Sequence, residues 1–298
     1  MSGDRIFSVI IPTYNRPDLL QKCLQSLAVL DYPRDRFEAI VVDDGSDRLL
    51  DPIVAPYQDN LAIALLRQPN AGPAAARNTG AAKAEGKYLA FIDDDCTPAT
   101  DWLQRLAAHL KANPNCLIGG QTINALPHNL YATASQLIVD MVYDHYNAIH
   151  HQAKFFAANN LALSANQFQA MGGFNSRFRT SEDREFCDRW LNSGRQMLYA
   201  PDVQIYHAHN LTLKGFWRQH FSYGCGAFRF HRLRFQRGLG YVKLEPNFYF
   251  KLLIYPMTKS SSQSPLLLTA LFVLSQIASM CGLLWQLSLP EVGGNSRK

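Results

Sequence analysis

Short apolar runs recur along the first hundred residues, and each is followed by polar or turn-forming residues. The runs lie at residues 7–11, 37–42, 63–66 and 88–92. Between the first two runs, apolar residues recur at helical spacing from Leu19 to Leu30, and an alanine-rich stretch reaching about Glu85 precedes the fourth run. This alternation of strand and helix predicts an α/β fold in which helices cover the faces of a mostly parallel sheet.

The pattern beyond residue 98 predicts further helices and strands with less regular spacing. We expect a helix to about residue 113, an apolar segment at 116–120 and an amphipathic helix at 131–151. Residues 155–164, 196–200 and 203–206 have the composition of strands, and residues 171–175 that of a turn. Regular structure is thus expected to continue to about residue 210.

Polar clusters follow the predicted strands, and this placement indicates where a ligand binds. In a parallel sheet, ligands bind beyond the carboxyl ends of the strands. Asp43 and Asp44 follow the second strand, and their carboxylates can accept hydrogen bonds from a base or from ribose hydroxyls, with Gly45 letting the backbone come close. Arg77, after the third strand, offers a planar fork for phosphate. The alternatives are a plain turn and a surface arginine.

Three consecutive carboxylates, Asp93, Asp94 and Asp95, follow the fourth predicted strand. Like charges at one strand end repel each other unless a cation lies among them. Hard oxygen ligands suit Mg²⁺ or Mn²⁺, which favour one or two carboxylates together with the oxygens of a phosphorylated substrate. The segment therefore predicts a metal site, and the alternative is a solvated acidic turn at a helix N-terminus.

Two later segments carry further candidate chemistry. Asp183 lies at the start of a predicted helix that Ser181 could cap, where a carboxylate facing a cleft could act as a general base; the alternative is a purely capping arrangement. His207 and His209 follow the last predicted strand and, with one residue between them, lie on the same side of it. Both could ligate a metal, and His207, directly after the apolar run, is the stronger candidate.

Composition and charge place the chain among ordinary globular proteins. It is 47% hydrophobic and 18% charged, which excludes general disorder. The formal net charge is +5, and the excess of basic residues lies late in the chain, where residues 203–264 hold nine Lys or Arg and one acidic residue. The six cysteines have no CxxC pair or zinc-like spacing and no signal peptide is recognisable, so we expect free thiols in a reducing compartment.

The last third of the chain differs from the rest. Residues 216–237 mix aromatic side chains with arginines, which is typical of an interface, and without a nucleic-acid-binding motif we expect no nucleic-acid partner. The 25 residues 265–289 carry no charge and could span a bilayer or lie at its surface. We predict a body at 1–212, a basic and aromatic interfacial segment at 213–264 and a membrane helix at 265–289. The upstream basic excess predicts that the body is cytoplasmic.

Five stretches resemble, in order, glycosyltransferase family 2, the inverting enzymes of GT-A fold that use nucleotide-sugar donors. They are residues 9–16 (VIIPTYNR), 40–46 (IVVDDGS), 70–78 (NAGPAAARN), 91–98 (FIDDDCTP) and 181–183 (SED). Each is weak alone, but five in the family's order are specific. The resemblance covers about residues 7–210 and implies a GT-A (Rossmann-like) sheet with flanking helices and the transfer of one sugar to an acceptor hydroxyl with inversion.

The resemblance also implies roles for individual residues. Asp183 matches the catalytic base, Asp93 and Asp95 match the DxD pair that binds Mn²⁺ or Mg²⁺, and His207 matches a possible further metal ligand. The residues expected to bind the nucleotide sugar are Pro12, Tyr14, Asn15, Asp43, Asp44, Asn70, Gly72, Arg77, Asp93 and Asp94.

Two differences between this sequence and the processive members of the family indicate a non-processive enzyme. Processive members carry a QxxRW segment, whereas residues 219–223 read QHFSY, and one candidate membrane span replaces several. We therefore expect a non-processive enzyme at a membrane, acting on a lipid-linked or cell-surface glycan precursor. A sugar nucleotidyltransferase is the alternative enzyme, although its glycine-rich N-terminal loop is missing. A non-catalytic nucleotide-sugar-binding or membrane scaffold is the other alternative, and retention of Asp93, Asp95 and Asp183 favours an enzyme over it.

Overall fold

One eight-stranded sheet organises the part of the chain that the computed structural model describes, residues 5–240, 246–259 and 261–289. The strands are β1 (Phe7–Thr13), β2 (Phe37–Asp43), β3 (Ile63–Arg67), β4 (Tyr88–Phe91), β5 (Cys96–Pro98), β6 (Leu117–Asn124), β7 (Leu161–Ser164) and β8 (Met197–His207). Their order across the sheet is β3-β2-β1-β4-β7-β6-β8-β5.

The first four strands are parallel, so their carboxyl ends meet at one edge. Thr13 pairs with Asp43 at this edge. β7 then runs antiparallel to β4 and β6, while β8 runs parallel to β6. The last strand, β5, is antiparallel to β8 and sets Cys96 opposite His207. The predicted α/β fold with a mostly parallel sheet is confirmed.

Helices cover both faces of the sheet, as the apolar spacing predicted. The helices are α1 (Pro17–Leu27), α2 (Asp51–Val54), α3 (Pro73–Lys83), α4 (Trp102–Ala112), α5 (Leu130–Tyr146), α6 (Ala165–Ala170), α7 (Glu182–Asn192), α8 (Leu213–Gln236), α9 (Pro246–Thr258) and α10 (Pro265–Ser288). Apolar side chains of α1 and α4 fill one face, and those of α3 and α7 the other. On α3, a Cβ at Gly80 would lie 2.6 Å from Ile10 Cγ2, so the missing side chain lets the helix lie close to the sheet.

Several predicted elements have different bounds in the structure. Of the strand predicted at 155–164, only Leu161–Ser164 pairs in the sheet, and a 3₁₀ turn precedes it. The buried side chain of Asn160 fixes this turn, because its amide donates to the carbonyl oxygen of Val203 (2.9 Å) and its oxygen accepts from Trp102 Nε1 (3.0 Å). The two strands predicted at 196–200 and 203–206 form one continuous strand, β8. The helix predicted at 131–151 ends at Tyr146.

The last three helices pack with α5 around a separate apolar cluster. α8 and α10 cross where glycines allow backbone contact: a Cβ at Gly282 would lie 1.9 Å from the carbonyl oxygen of Phe221, and one at Gly224 would lie 1.8 Å from that of Ser279. Within the described ranges, α10 alone is long and apolar enough to cross a membrane, judged by length and composition. The predicted C-terminal apolar helix is therefore present, and one of its faces packs against α8.

Replacing Gly282 by alanine is expected to destabilise the protein by about 1–3 kcal/mol, because the new methyl group forces α8 and α10 apart. Thermal unfolding in detergent measures the change. Gly215→Ala on α8 is the matched control, since its Cβ would meet only Leu211 Cδ2, at 3.4 Å, and Thr212 Oγ1, at 3.5 Å. We expect that control to be neutral or slightly stabilising. Equal melting temperatures for the two variants would contradict the close crossing.

Candidate active site

A cleft of about 1440 Å³ opens at the carboxyl edge of the parallel strands. The loops after β1, β2 and β4 contribute Tyr14, Asp44 and Asp93 to its lining. Helices α5, α7, α8 and α10 also line it, and Asp183 is among their residues. The structure therefore gathers the polar clusters predicted at separate strand ends into one site.

Asp94 is the more deeply buried of the two buried aspartates in the run of three. Its carboxylate accepts hydrogen bonds from Thr13 Oγ1 (2.7 Å) and from the Arg16 guanidinium (3.2 Å). Burial raises the pKa of Asp94 to about 6, although Arg16 opposes the shift. These contacts hold the turn after β4 against the loop after β1.

Asp95 lies between Arg16 and His207. Arg16 donates to its Oδ2 at 3.0 Å, and His207 Nε2 lies 3.3 Å from its Oδ1. Burial alone would raise the pKa of Asp95, but the hydrogen bond and charge of His207 hold that pKa well below its usual value. The His209 ring stacks 5.0 Å from the His207 ring, and burial together with His207 lowers the pKa of His209 to about 4. Of the two histidines, His207 is the one that pairs with an aspartate in the described structure.

The donor atoms around Asp95 fit a divalent cation. One ligand atom each from Asp95, Cys96 and His207 lies within 4.8 Å of the others. Burial raises the pKa of the Cys96 thiol well above its ordinary value, so it stays protonated and is a poor ligand for a hard cation. Carboxylate and imidazole are suitable ligands for Mn²⁺, and the Asp93 side chain, 31% exposed on the same turn, adds a second carboxylate at the cleft.

Arg77 is a buried residue that joins two carboxylates, which rules out the surface arginine considered above. Its side chain is 4% exposed, and its guanidinium donates to Asp93 Oδ1 (2.6 Å) and to Glu182 Oε1 (2.7 Å). The fork predicted for phosphate thus ties the aspartate turn to the first residue of α7. Phosphate binding by Arg77 would require one carboxylate to give way, and that role stays a prediction.

Replacing Arg77 by methionine is expected to cost on the order of 3–5 kcal/mol, because it leaves Glu182 buried without a counter-charge. Thermal or chemical unfolding measures the loss, and adding Glu182→Gln to the same protein should recover part of it. The control is Arg105→Met, whose ion pair with Asp101 (2.9 Å) is exposed and is expected to contribute little to stability. The interpretation fails if both single variants lose the same stability.

Asp183 lies in the first turn of α7 and lines the cleft. Its Oδ1 accepts a hydrogen bond from the Arg184 backbone N–H at 2.7 Å. Burial and then the neighbouring Glu182 raise the pKa of Asp183 to about 7. A carboxyl group with a pKa near neutrality can take a proton from a substrate and later release it. The geometry therefore suits the general-base role predicted for Asp183.

The capping role predicted for Ser181 is wrong. Ser181 precedes α7, but its φ of 68° is left-handed and its side chain makes no capping hydrogen bond. α8 fixes this turn instead: Thr180 Oγ1 donates to the carbonyl oxygen of Ser222 (2.9 Å), and a Cβ at Gly226 would lie 2.4 Å from Ser181 Oγ. Packing of α8 against the turn thereby positions the start of α7.

Asp44 organises the loop that follows β3. Its carboxylate accepts from Gln68 Nε2 (2.7 Å) and from the backbone N–H groups of Ala71 (2.9 Å) and Gly72 (2.8 Å). The predicted donor-binding residues that line the cleft are Pro12, Tyr14, Asp44, Asn70, Gly72, Arg77, Asp93 and Asp94. Most of the predicted set is therefore in one place.

Asp43 and Asn15 are the predicted donor-binding residues that do not line the cleft. Asp43 is buried, and its Oδ1 accepts from the Ser46 N–H at 2.8 Å. Asn15 donates its backbone N–H to Ser46 Oγ (2.8 Å) and exchanges side-chain hydrogen bonds with Asp47. Both residues shape the turn after β2, so the geometry gives them a supporting position.

Several cleft residues had no predicted role. Arg16 pairs with Asp94 and Asp95. It belongs to residues 9–16, one of the stretches that resemble the family, and its position directly before α1 is the sequence feature that could have indicated these contacts. Gln276 and Met280 of α10 also line the cleft. No local pattern indicated them, since they reach the site through long-range helix packing.

The model of the family described as glycosyl transferase family 2 matches residues 8–184. The chain belongs to glycosyltransferase family 2. Glycosyltransferase AglE of Haloferax volcanii is 31% identical over 205 residues, covering 66% of this chain and 64% of that protein. Pre-mycofactocin glycosyltransferase of Mycobacterium tuberculosis is 28% identical over 230 residues, covering 75% of this chain and 47% of that protein. The chain thus spans less than two-thirds of the length of either relative.

Solved structures share the fold at low sequence identity. Mannosyltransferase PcManGT from Pyrobaculum calidifontis, in complex with GDP-Man and Mn²⁺, has a TM-score of 0.66 at 19% identity and covers 95% of this chain and 88% of that one. Residues 1–349 of Staphylococcus aureus TarS have a TM-score of 0.59 at 21% identity, covering 84% and 69%. The GT-A fold with flanking helices, expected from the resemblance to family 2, is confirmed.

Proposed function

We propose that this family 2 chain is an inverting glycosyltransferase that moves one sugar from a nucleotide-diphosphate sugar to an acceptor hydroxyl with the help of a divalent cation. One observation carries the proposal: the turn with Asp93 and Asp95, its partner His207 and the raised-pKa carboxyl of Asp183 line the same cleft. The donors in structurally similar proteins, UDP-GlcNAc with TarS and GDP-Man with PcManGT, support a nucleotide sugar as donor.

The cleft residues have separate roles in the proposed reaction. The loops after β1, β2 and β3 bind the nucleotide, and the turn at Asp93 and Asp95 faces the diphosphate. Mn²⁺ or Mg²⁺, held by Asp93, Asp95 and His207, would neutralise charge on the departing diphosphate. Asp183 takes the proton of the acceptor hydroxyl, whose oxygen bonds to the anomeric carbon as the bond to the diphosphate breaks on the opposite face. The configuration therefore inverts.

The C-terminal helices support a membrane location for the acceptor. α9 and α10 expose apolar side chains including Phe250, Leu266 and Trp285, and α8 beside them carries exposed arginines. Such a surface suits the interface of an anionic membrane. We place the catalytic body (1–212) at the cytoplasmic side, with 213–264 at the interface and 265–289 in or on the membrane. The acceptor is then a lipid-linked or cell-surface glycan precursor.

Donor turnover tests this function. Detergent-purified protein is incubated with UDP-, GDP- and dTDP-sugars in Mn²⁺ or Mg²⁺, and released nucleotide is measured with and without a chelator. We expect slow, metal-dependent release from one donor. If no donor is bound or turned over, even with a membrane extract as acceptor source, the transferase proposal fails and a non-catalytic scaffold takes its place.

A further inference from the structure

Arg184 is the cation next to the proposed base, and its guanidinium forms no direct ion pair in the described structure, although the carboxylates of Asp183 and Asp188 act on its charge from longer range. Its guanidinium lies 4.4 Å from the centre of the Phe230 ring, and its side chain lines the cleft. Within residues 5–240, 246–259 and 261–289, no carboxylate oxygen lies within 4.0 Å of it. Nearby arginines differ, since Arg189 pairs with Glu185 and Arg234 with Asp188. A partly buried arginine without a directly paired carboxylate can take an anionic group of a ligand as its partner.

The cleft beside Arg184 has apolar walls. Its apolar lining comes from four helices, with Val139 and Val142 on α5, Phe230 on α8, Phe248 on α9 and Leu283 on α10. Two further lining residues, Tyr249 (44% exposed) and Met280 (56% exposed), also belong to the outer surface. The apolar wall is thus continuous with the exposed apolar face of α9 and α10.

We propose that the acceptor is a lipid-linked sugar whose phosphate pairs with Arg184, whose chain lies along the apolar wall, and whose sugar hydroxyl reaches Asp183. The identification of this acceptor subsite rests on the proposed transferase function. Arginine is suited to the task because its planar fork binds two phosphate oxygens at once. The neighbouring positions of Asp183 and Arg184 in the chain place the reacting hydroxyl and the phosphate close together, as a phosphate-linked sugar requires.

Burial and charge support the same occupant. Burial lowers the pKa of Arg184 although Asp183 and Asp188 oppose the shift, so the site is less favourable for a positive charge than bulk water. A phosphate supplies a directly paired anion, whereas an uncharged sugar or a lipid alcohol does not. The apolar wall in turn distinguishes a lipid phosphate from free phosphate, which gains nothing from it.

Ligand binding tests the subsite. Detergent-purified wild-type protein is titrated calorimetrically with a short-chain isoprenyl phosphate, with the matching isoprenyl alcohol and with inorganic phosphate. We expect the lipid phosphate to bind more tightly than either of the others. Arg184→Gln should weaken lipid-phosphate binding by about 10- to 100-fold, as expected for a hydrogen bond to a charged group, and leave binding of the alcohol unchanged. Arg184→Lys keeps the positive charge but lacks the planar guanidinium, so its affinity for the lipid phosphate should lie between those of the wild type and Arg184→Gln.

Controls separate the possible failures. Arg218→Gln removes an exposed arginine of α8 outside the cleft and should bind the lipid phosphate like the wild type. The subsite is overturned if the alcohol binds wild-type protein as tightly as the phosphate does, if inorganic phosphate binds equally well, or if a folded Arg184→Gln variant shows no loss. Arg184→Lys supplies this test if the glutamine variant does not fold. Nucleotide binding to the wild-type protein is measured separately, and its absence would count against the transferase function itself.

Discussion

Replacing Asp183 by asparagine is expected to lower the rate of donor turnover by about 10²–10⁴-fold, the usual contribution of a general base. The amide fills the same space but cannot take the acceptor proton. Because Asp183 is not among the residues expected to hold the nucleotide or the metal, binding of nucleotide and Mn²⁺ should remain close to wild type. Steady-state release of nucleotide measures the rate, and calorimetry with nucleotide and Mn²⁺ measures the binding.

The control is Asp59→Asn, which removes an exposed carboxylate remote from the cleft and should be fully active. An Asp183→Asn protein that keeps more than a tenth of the wild-type rate would show that another group takes the proton. Loss of nucleotide binding together with the rate would instead place Asp183 on the donor side.

The pH profile provides an independent test of the same residue. Burial and the neighbouring Glu182 raise the pKa of Asp183 to about 7, so the carboxyl group is protonated below that pH and cannot act as a base. The wild-type rate should therefore rise with pH through an acidic limb. A cation bound at Asp93 and Asp95 will move the limb to lower pH by favouring the carboxylate. The limb should disappear in Asp183→Asn, and its persistence there would assign it to another group.

Replacing Asp95 by alanine is expected to lower metal-dependent turnover by about 10²-fold or more, since metal neutralisation of a leaving group contributes several kcal/mol. The variant removes the carboxylate that holds His207 and leaves the imidazole without its 3.3 Å partner. Mn²⁺ affinity, followed through the paramagnetic resonance signal of free Mn²⁺, should fall in the same variant.

Asp94→Asn is the matched control for this loss. Asp94 is adjacent in sequence, but its carboxylate is engaged by Thr13 and Arg16. We expect its Mn²⁺ affinity to stay within a few-fold of wild type. Equal losses in the two variants would mean that the acidic turn binds Mn²⁺ through its total charge, without a defined ligand set.

The placement of the site was predictable because it follows from local patterns. β1, β2 and β4 are recognisable in the sequence as apolar runs. Because parallel strands run in the same direction, the residues that follow them meet at one edge of the sheet. Asp44, Asp93 and Asp95 are found there. The contact between His207 and Asp95 was harder to predict from the sequence, since it depends on β5 pairing antiparallel to β8.

Contacts between distant segments could not be predicted from the sequence. Arg77 looked like a phosphate ligand or a surface residue, and its bond to Glu182, 105 residues away, became visible only in the folded chain. The close crossing of α8 and α10 at Gly224 and Gly282 could not be predicted either, because nothing in the two helix sequences indicates that they pack against each other. This crossing carries α10 to the cleft, so the apolar wall beside Arg184 was likewise beyond local patterns.

The anomeric configuration of the sugar released from its donor tests the central claim most directly. Proton magnetic resonance follows slow donor hydrolysis with Mg²⁺, which unlike Mn²⁺ leaves the lines sharp, so that the first sugar is seen before mutarotation. Water activated by Asp183 attacks opposite the diphosphate, and we expect the first sugar to have the configuration opposite to that of the donor. Release with the donor's own configuration would contradict direct displacement in this cleft.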